Sequence, residues 1–80
     1  MMLTGEQIRA GRALARLEQA ELAHRSGLSL ETIKRLERIR GPVGANVRTV
    51  HALQDAFSAV GVSVGWERDG KMFVCLGATA

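Results

Sequence analysis

The spacing of apolar residues changes once along this chain, at Gly61, and that change limits the folds open to it. Before Gly61, apolar residues recur every three or four positions, the period of helices that bury one face. After it, Val62, Val64 and Trp66 alternate with small or polar residues, which is the period of a strand. The sequence therefore predicts a helical body followed by β-structure.

Four helices are predicted before Gly61 from their start and stop signals. Thr4, with Gln7 three residues later, has the spacing of a capping box and opens the first helix. Ser29 and Asn46 are suitable N-cap residues for the third and fourth helices, and Gly27 ends the second, which starts at Gln19. The apolar residues that follow helical spacing are Ile8, Leu14, Ala15, Leu17, Leu22, Ala23, Leu30, Ile33, Leu36, Val47, Val50, Leu53 and Phe57.

A β-hairpin is predicted at the C-terminal end. Asp69-Gly70 is a strong signal for a two-residue turn, and the apolar run Met72 to Leu76 follows it. Such a turn pairs Arg68 with Lys71, places Trp66 opposite Phe73 and places Val64 opposite Cys75. Both faces of this hairpin would be apolar, and an isolated hairpin is marginally stable in water. We expect one face to cover the helices, and the other face or an edge to meet a second subunit.

The size of the chain, 80 residues and 8.6 kDa, allows one hydrophobic core and excludes an enzyme with separate cofactor and substrate lobes. Its single cysteine, Cys75, cannot form an internal disulfide, so a reducing cytoplasm is the expected location. The longest stretch without charge, residues 56–66, is shorter than the ~20 apolar residues of a membrane span. We expect no membrane segment and no cleaved signal peptide.

The charge of the chain is basic, with a formal net charge of +3. Residues 34–48 hold five basic residues and one acid, Glu37. The basic residues are Lys34, Arg35, Arg38, Arg40 and Arg48. Arginine binds phosphates and guanine edges with a planar, two-pronged geometry, so this cluster suits a polyanionic partner. A solvated charged face is the alternative interpretation.

The second and third predicted helices are separated by only three residues. Ala23 in one helix, Gly27 in the connection and Ile33 in the other have the spacing of a helix-turn-helix. A small residue lets the helices approach, the glycine reverses the chain, and the isoleucine fills the angle between them. An ordinary helical hairpin can show the same three residues by chance, but the adjacent basic cluster favours the helix-turn-helix.

The segment from Leu17 to Glu37, LEQAELAHRSGLSLETIKRLE, resembles the lambda-repressor and Cro-like helix-turn-helix family, often called XRE. The resemblance covers about residues 4–60. It is most specific at Leu17, Gln19, Leu22, Ala23, Gly27, Ser29, Thr32, Ile33 and Glu37. It implies a mainly α fold with a four-helix, lambda-repressor-like DNA-binding domain over residues 1–60. The C-terminal β-hairpin over residues 61–80, which we expect to serve dimerisation or packing, lies outside the core that the family shares.

The resemblance also implies roles for individual residues. Gln19 matches a glutamine that reaches a DNA phosphate, and the third helix matches the recognition helix that enters the major groove. The matching exposed positions are Ser29, Leu30, Glu31, Thr32, Lys34 and Arg35, with Arg35 the best candidate for a bidentate guanine contact. Arg38 and Arg40 suit phosphates, and for Arg48 a solvated role is at least equally plausible.

Two positions of the third helix depart from common family patterns. Leu30 suits a thymine methyl group and Glu31 suits a cytosine amino group, although Glu31 can equally well serve only to favour the helix N-terminus. Arg12 and Glu37 match a pair that the family holds across the core, so we interpret both as structural and leave Arg12 out of the DNA contacts.

Catalysis and metal binding have little support in the sequence. His24, His51 and Cys75 are too scattered for a zinc site, and no glycine-rich phosphate loop is present. We expect no enzyme activity, no cofactor and no metal. The expected function is a sequence-specific regulator of transcription, a repressor or an activator, that binds double-stranded operator DNA as a homodimer. The alternative is a protein-interaction module, such as an antitoxin or antiactivator, that binds a protein partner through the hairpin.

Overall fold

A computed structural model describes residues 2–77 of the chain. It contains four helices followed by a two-stranded antiparallel sheet, which confirms this coarse prediction. The elements are α1 (Gly5–Ala15), α2 (Gln19–Ser26), α3 (Leu30–Glu37), α4 (Val47–Ser58), β1 (Val62–Trp66) and β2 (Met72–Leu76). The outermost positions of the predicted 1–60 and 61–80 regions, residue 1 and residues 78–80, lie outside the described residues. No helix within residues 2–77 has the length and apolar character to cross a membrane.

The predicted helix signals are confirmed. At the start of α1, the amide of Gln7 donates to Thr4 Oγ1 at 3.0 Å and the amide of Thr4 donates to Gln7 Oε1 at 2.9 Å. The side chain of Ser29 caps α3 and that of Asn46 caps α4. Gly27 ends α2 with φ 75°, a left-handed conformation that glycine adopts at little cost. The connection from α2 to α3 is therefore only residues 27–29.

The core is aliphatic around one aromatic ring, Phe57, which is fully buried. The buried apolar residues are Leu3, Ile8, Leu17, Leu22, Ala23, Ile33, Leu36, Val43, Val50, Leu53, Ala56, Phe57, Val62 and Val64. Two residues that follow the helical spacing are nevertheless exposed: Leu14 by 39% and Val47 by 56%. Both lie in terminal turns of their helices, where fewer neighbouring elements cover a side chain.

The predicted register of the hairpin is wrong by one residue. Trp66 pairs with Met72 rather than Phe73, and Val64 pairs with Val74 rather than Cys75. The amide of Glu67 donates to the carbonyl of Lys71 at 2.7 Å, and Gly70 has φ 91°, so three residues form the loop. Since side chains alternate between faces, this shift regroups them. One face carries Val62, Val64, Trp66, Met72, Val74 and Leu76, and the other carries Ser63, Gly65, Phe73 and Cys75.

The hairpin is held to the helices by apolar packing and by one buried amide. Val62 and Val64 lie in the core, 1% and 6% exposed. The Gln7 side chain, 1% exposed, donates from Nε2 to the carbonyl of Gly65 at 2.8 Å and to that of Phe73 at 3.2 Å. A single side chain of α1 thereby binds both strands. The sequence showed Gln7 only as part of a capping box.

Candidate nucleic-acid interface

The outer side of α3 is a stripe of three charged residues, which we call the α3 stripe: Glu31, Arg35 and Arg38. All three are exposed, and their spacing of four and three residues places them on one face of a helix. The inner face carries Ile33 and Leu36, which are 0% and 1% exposed. The core thus fixes how α3 is rotated about its axis and turns the charged stripe towards solvent.

The other residues predicted on α3 are less available. Ser29 is exposed, but its hydroxyl caps the helix and donates to Thr32 Oγ1 at 2.8 Å. Thr32 and Lys34 are half-buried. Leu30, predicted to be exposed, is half-buried and packs against the core, which corrects that prediction. Burial of an apolar side chain against the core stabilises the fold, whereas its exposure to water does not, so this residue of the first turn of α3 packs inward.

Gln19, the predicted phosphate contact at the start of α2, is half-buried. Its Nε2 donates to Glu37 Oε1 at 3.1 Å, a hydrogen bond that the sequence did not indicate. An amide nitrogen carries two protons, and the second makes no hydrogen bond within residues 2–77. The side chain therefore keeps one donor for an external acceptor.

The predicted pair between Arg12 and Glu37 is confirmed. Arg12 Nε donates to Glu37 Oε2 at 2.7 Å and Arg12 Nη2 donates to Oε1 at 3.1 Å. Glu37 is 4% exposed and Arg12 is 25% exposed. This hydrogen bonding raises the pKa of Arg12 above its ordinary value. Arg9 also donates to the carbonyl of Glu37, so α1 holds the C-terminal end of α3 through two arginines.

The basic loop after α3 is fastened to the start of α1. Arg40 and Arg48 are exposed on either side of it. The amide of Val43 donates to the carbonyl of Leu3 at 2.8 Å, and the amide of Gly5 donates to the carbonyl of Gly41 at 3.2 Å. These backbone hydrogen bonds join residues far apart in sequence, and no pattern of side chains predicts them. They give the loop a defined position against the start of α1.

Glu6 adds a titratable contact to this loop, because the amide of Gly41 donates to Glu6 Oε1 at 3.0 Å. That hydrogen bond, together with one from the backbone of Glu6 itself, holds the pKa of the carboxyl below its ordinary value of 4.5. A lowered pKa in the folded state stabilises the fold above the unfolded-state pKa, and this contribution is lost as the pH falls through the folded-state value.

Replacing Glu6 with Gln is therefore expected to lower the urea midpoint of unfolding at pH 7 and to have a diminishing effect below pH 4.5. The urea midpoints of both proteins across pH 2.5–7, a range of about four units around the carboxyl titration, measure this. Glu67→Gln is the control, because that exposed carboxylate accepts no hydrogen bond within residues 2–77. A difference between wild type and Glu6→Gln that stays constant with pH would contradict the expectation.

One further groove, of about 560 Å³, lies between α2 and α4. Glu21, His24, Arg25 and Asp55 line it, and Arg25 is paired with Glu21 at 3.3 Å. In the part of the chain that the structure describes, no three His, Cys, Asp or Glu side chains come together in a group that could hold a metal ion. Cys75 and His51 are exposed and lie on separate elements.

No family model matches the chain, and no curated protein is similar to it at a significant level.

Proposed function

We propose that α2, the Gly27–Ser29 connection and α3 form a helix-turn-helix and that the protein is a sequence-specific, double-stranded DNA-binding regulator of transcription of the lambda-repressor and Cro-like type. The observation that carries the proposal is the α3 stripe. Its charged side chains project from a helix whose opposite face is fixed in the core. A helix with this arrangement can enter the major groove and present polar groups to base edges.

Phosphate contacts are assigned to the end of the stripe and to the polar groups near it. Arg38 at the end of the stripe, Arg40 in the following loop and Arg48 in the first turn of α4 are exposed, and Gln19 keeps one free amide proton at the start of α2. Contacts of this kind supply affinity and set the orientation of a protein on the duplex, while base contacts select the sequence. Binding would place the protein at an operator, where it blocks or assists transcription.

Dimerisation is assigned to the hairpin. Trp66 and Met72 pair at the loop end of the hairpin and Leu76 lies at its other end; they are 38%, 48% and 60% exposed. All three share the face on which Val62 and Val64 pack in the core, so they lie at the margins of that face, where exposed apolar side chains can contact a second subunit. A two-fold dimer would present two α3 helices about one turn of DNA apart, roughly 34 Å, to a palindromic site.

Selection of bound fragments from a random duplex pool tests this function. The expected result is enrichment of one inverted repeat, because two identical subunits read two half-sites. Arg35→Ala is expected to lower affinity for the enriched site by roughly 5- to 150-fold, the value of one bidentate base contact, and to relax the preference at one position per half-site.

Arg25→Ala is the matched control, because Arg25 is also an exposed arginine but lies on α2 and is paired with Glu21. The salt dependence of affinity supplies a second readout, with a slope of about 0.9 for each phosphate neutralised. Unchanged discrimination in Arg35→Ala, or an affinity that does not vary with salt, would contradict the assignment of α3 to DNA.

The second candidate function is a protein-interaction module of the antitoxin or antiactivator kind. The observation that favours it is the same exposed apolar group on the hairpin, which suits a different protein as well as a second copy. The oligomeric state, measured by light scattering at micromolar concentrations, distinguishes the two candidate functions. A dimer that loses its association in Met72→Glu supports the regulator, while a stable monomer that enriches no DNA sequence supports the module.

A further inference from the structure

Two helices of this protein carry the same Glu-to-Arg spacing of four residues, with different outcomes. On α2, Glu21 and Arg25 form an ion pair with 3.3 Å between Oε2 and Nη2. On α3, Glu31 and Arg35 form no ion pair and no side-chain hydrogen bond with each other, although both are described and exposed. Glu31 and Arg35, two of the three charged groups of the α3 stripe, thus face solvent, with the carboxylate acceptor of Glu31 one helical turn before the guanidinium donors of Arg35.

We propose that Glu31 and Arg35 together make the protein selective for G·C base pairs, with Glu31 accepting from a cytosine and Arg35 donating to a guanine. This inference rests on the proposed function and names the sequence class of its operator. In the major groove, guanine presents two acceptors, O6 and N7, and cytosine presents the N4 amino donor. The guanidinium of Arg35 matches the two guanine acceptors, and the carboxylate of Glu31 matches the cytosine donor.

The carboxylate of Glu31 is the selective member of the pair. A phosphate repels this carboxylate, so the carboxylate strengthens binding only where it faces a hydrogen-bond donor on a base. In the major groove, adenine N6 lies between two acceptors that repel a carboxylate, its own N7 and O4 of the paired thymine. Cytosine N4 has such an acceptor on one side only, O6 of the paired guanine. The hydroxyl of Ser29 donates a hydrogen bond to that of Thr32, and Glu31 supplies the exposed carboxylate in the first turn of α3.

The spacing of the two groups limits where their bases lie. Four residues of helix rise about 6 Å, and one base-pair step rises about 3.4 Å. With α3 lying along the groove, the cytosine and the guanine fall within about two base-pair steps of each other. Each half-site of the operator should therefore contain a C and a G at this separation.

Glu31→Gln tests the inference, because glutamine has nearly the same shape but bonds adenine through N6 and N7. Fragment selection with the wild type is expected to give a C·G pair at one position of each half-site, and selection with Glu31→Gln is expected to give A·T there. The affinity ratio between the two sequences should change by roughly 5- to 150-fold. The preference for the guanine read by Arg35 should remain.

Glu21→Gln is the matched control, since it makes the same replacement in the first turn of α2, and circular dichroism checks that each variant is folded. Unchanged base preference in Glu31→Gln, with a wild type that still enriches one sequence, overturns this inference and leaves the proposed function standing. Failure of the folded wild type to enrich any sequence overturns the proposed function itself. A Glu31 that serves only the N-terminus of α3 would change the unfolding midpoint and leave the preferred sequence unaltered.

Discussion

Gly5→Ala is expected to destabilise the fold by more than about 3 kcal/mol, although alanine is the better helix former by about 1 kcal/mol. A Cβ at position 5 would lie 2.0 Å from the carbonyl oxygen of Ile39 and 2.8 Å from that of Leu36. Both atoms belong to the backbone, so no side-chain rotation relieves the overlap. The start of α1 or the end of α3 must move, and α3 carries the candidate interface.

Urea unfolding followed by circular dichroism measures this free energy. An 80-residue domain has roughly 4 to 12 kcal/mol of stability, so the expected loss is roughly a quarter to three quarters of it and should lower the urea midpoint by a similar fraction. Gly44→Ala is the control, because a Cβ there meets no atom within 4 Å. Alanine restricts the backbone of the unfolded chain more than glycine does, so the free energy of unfolding of this variant should equal or slightly exceed that of wild type. A Gly5→Ala protein as stable as wild type would show that α1 does not approach α3 this closely.

Arg12→Ala is expected to reduce the free energy of unfolding by about 3 kcal/mol, the lower end of the range for a broken buried pair. The lower end applies because Arg12 is 25% exposed, so water reaches part of the guanidinium. The loss arises at Glu37, which is 4% exposed and would be left with only the Gln19 amide as a side-chain donor. The carbonyl of Leu17, which accepts from Arg12 Nη1 at 3.0 Å, loses that donor as well.

Two further variants separate the buried charge from a general effect of losing an arginine. Arg25→Ala breaks the exposed pair with Glu21 and should change the free energy of unfolding by less than about 1 kcal/mol. Replacing both Arg12 with Met and Glu37 with Leu leaves no unpaired charge, so this double variant should be more stable than Arg12→Ala. Equal losses in Arg12→Ala and Arg25→Ala, measured by urea unfolding, would contradict the burial of Glu37.

The helices could be predicted from the sequence because their signals are local. Thr4, Gly27, Ser29 and Asn46 act on residues within one turn of themselves, and each has the role in the structure that its position indicated. The hairpin could be predicted as an element for the same reason. Its register could not, because Asp-Gly fits both a two-residue turn and the end of a three-residue loop with a left-handed glycine.

The candidate interface was partly predictable. The family resemblance supplied the exposed positions of Glu31 and Arg35 and the pairing of Arg12 with Glu37. The half-burial of Leu30 and the hydrogen bond from Gln19 to Glu37 depend on how α2 and α3 pack, which no local pattern encodes. The same holds for the backbone contacts that fix the basic loop against Leu3 and Gly5.

The contacts of Gln7 have a consequence for the order in which the chain can fold. The hydrogen bonds within each helix join residues about four apart, whereas those from Gln7 to Gly65 and Phe73 close loops of 58 and 66 residues. Closing a loop costs entropy that grows with its length, so long-range contacts follow the local ones. During synthesis, the side chain of Gln7 in the first helix therefore forms these two hydrogen bonds only after the last strand has been made and has packed against that helix.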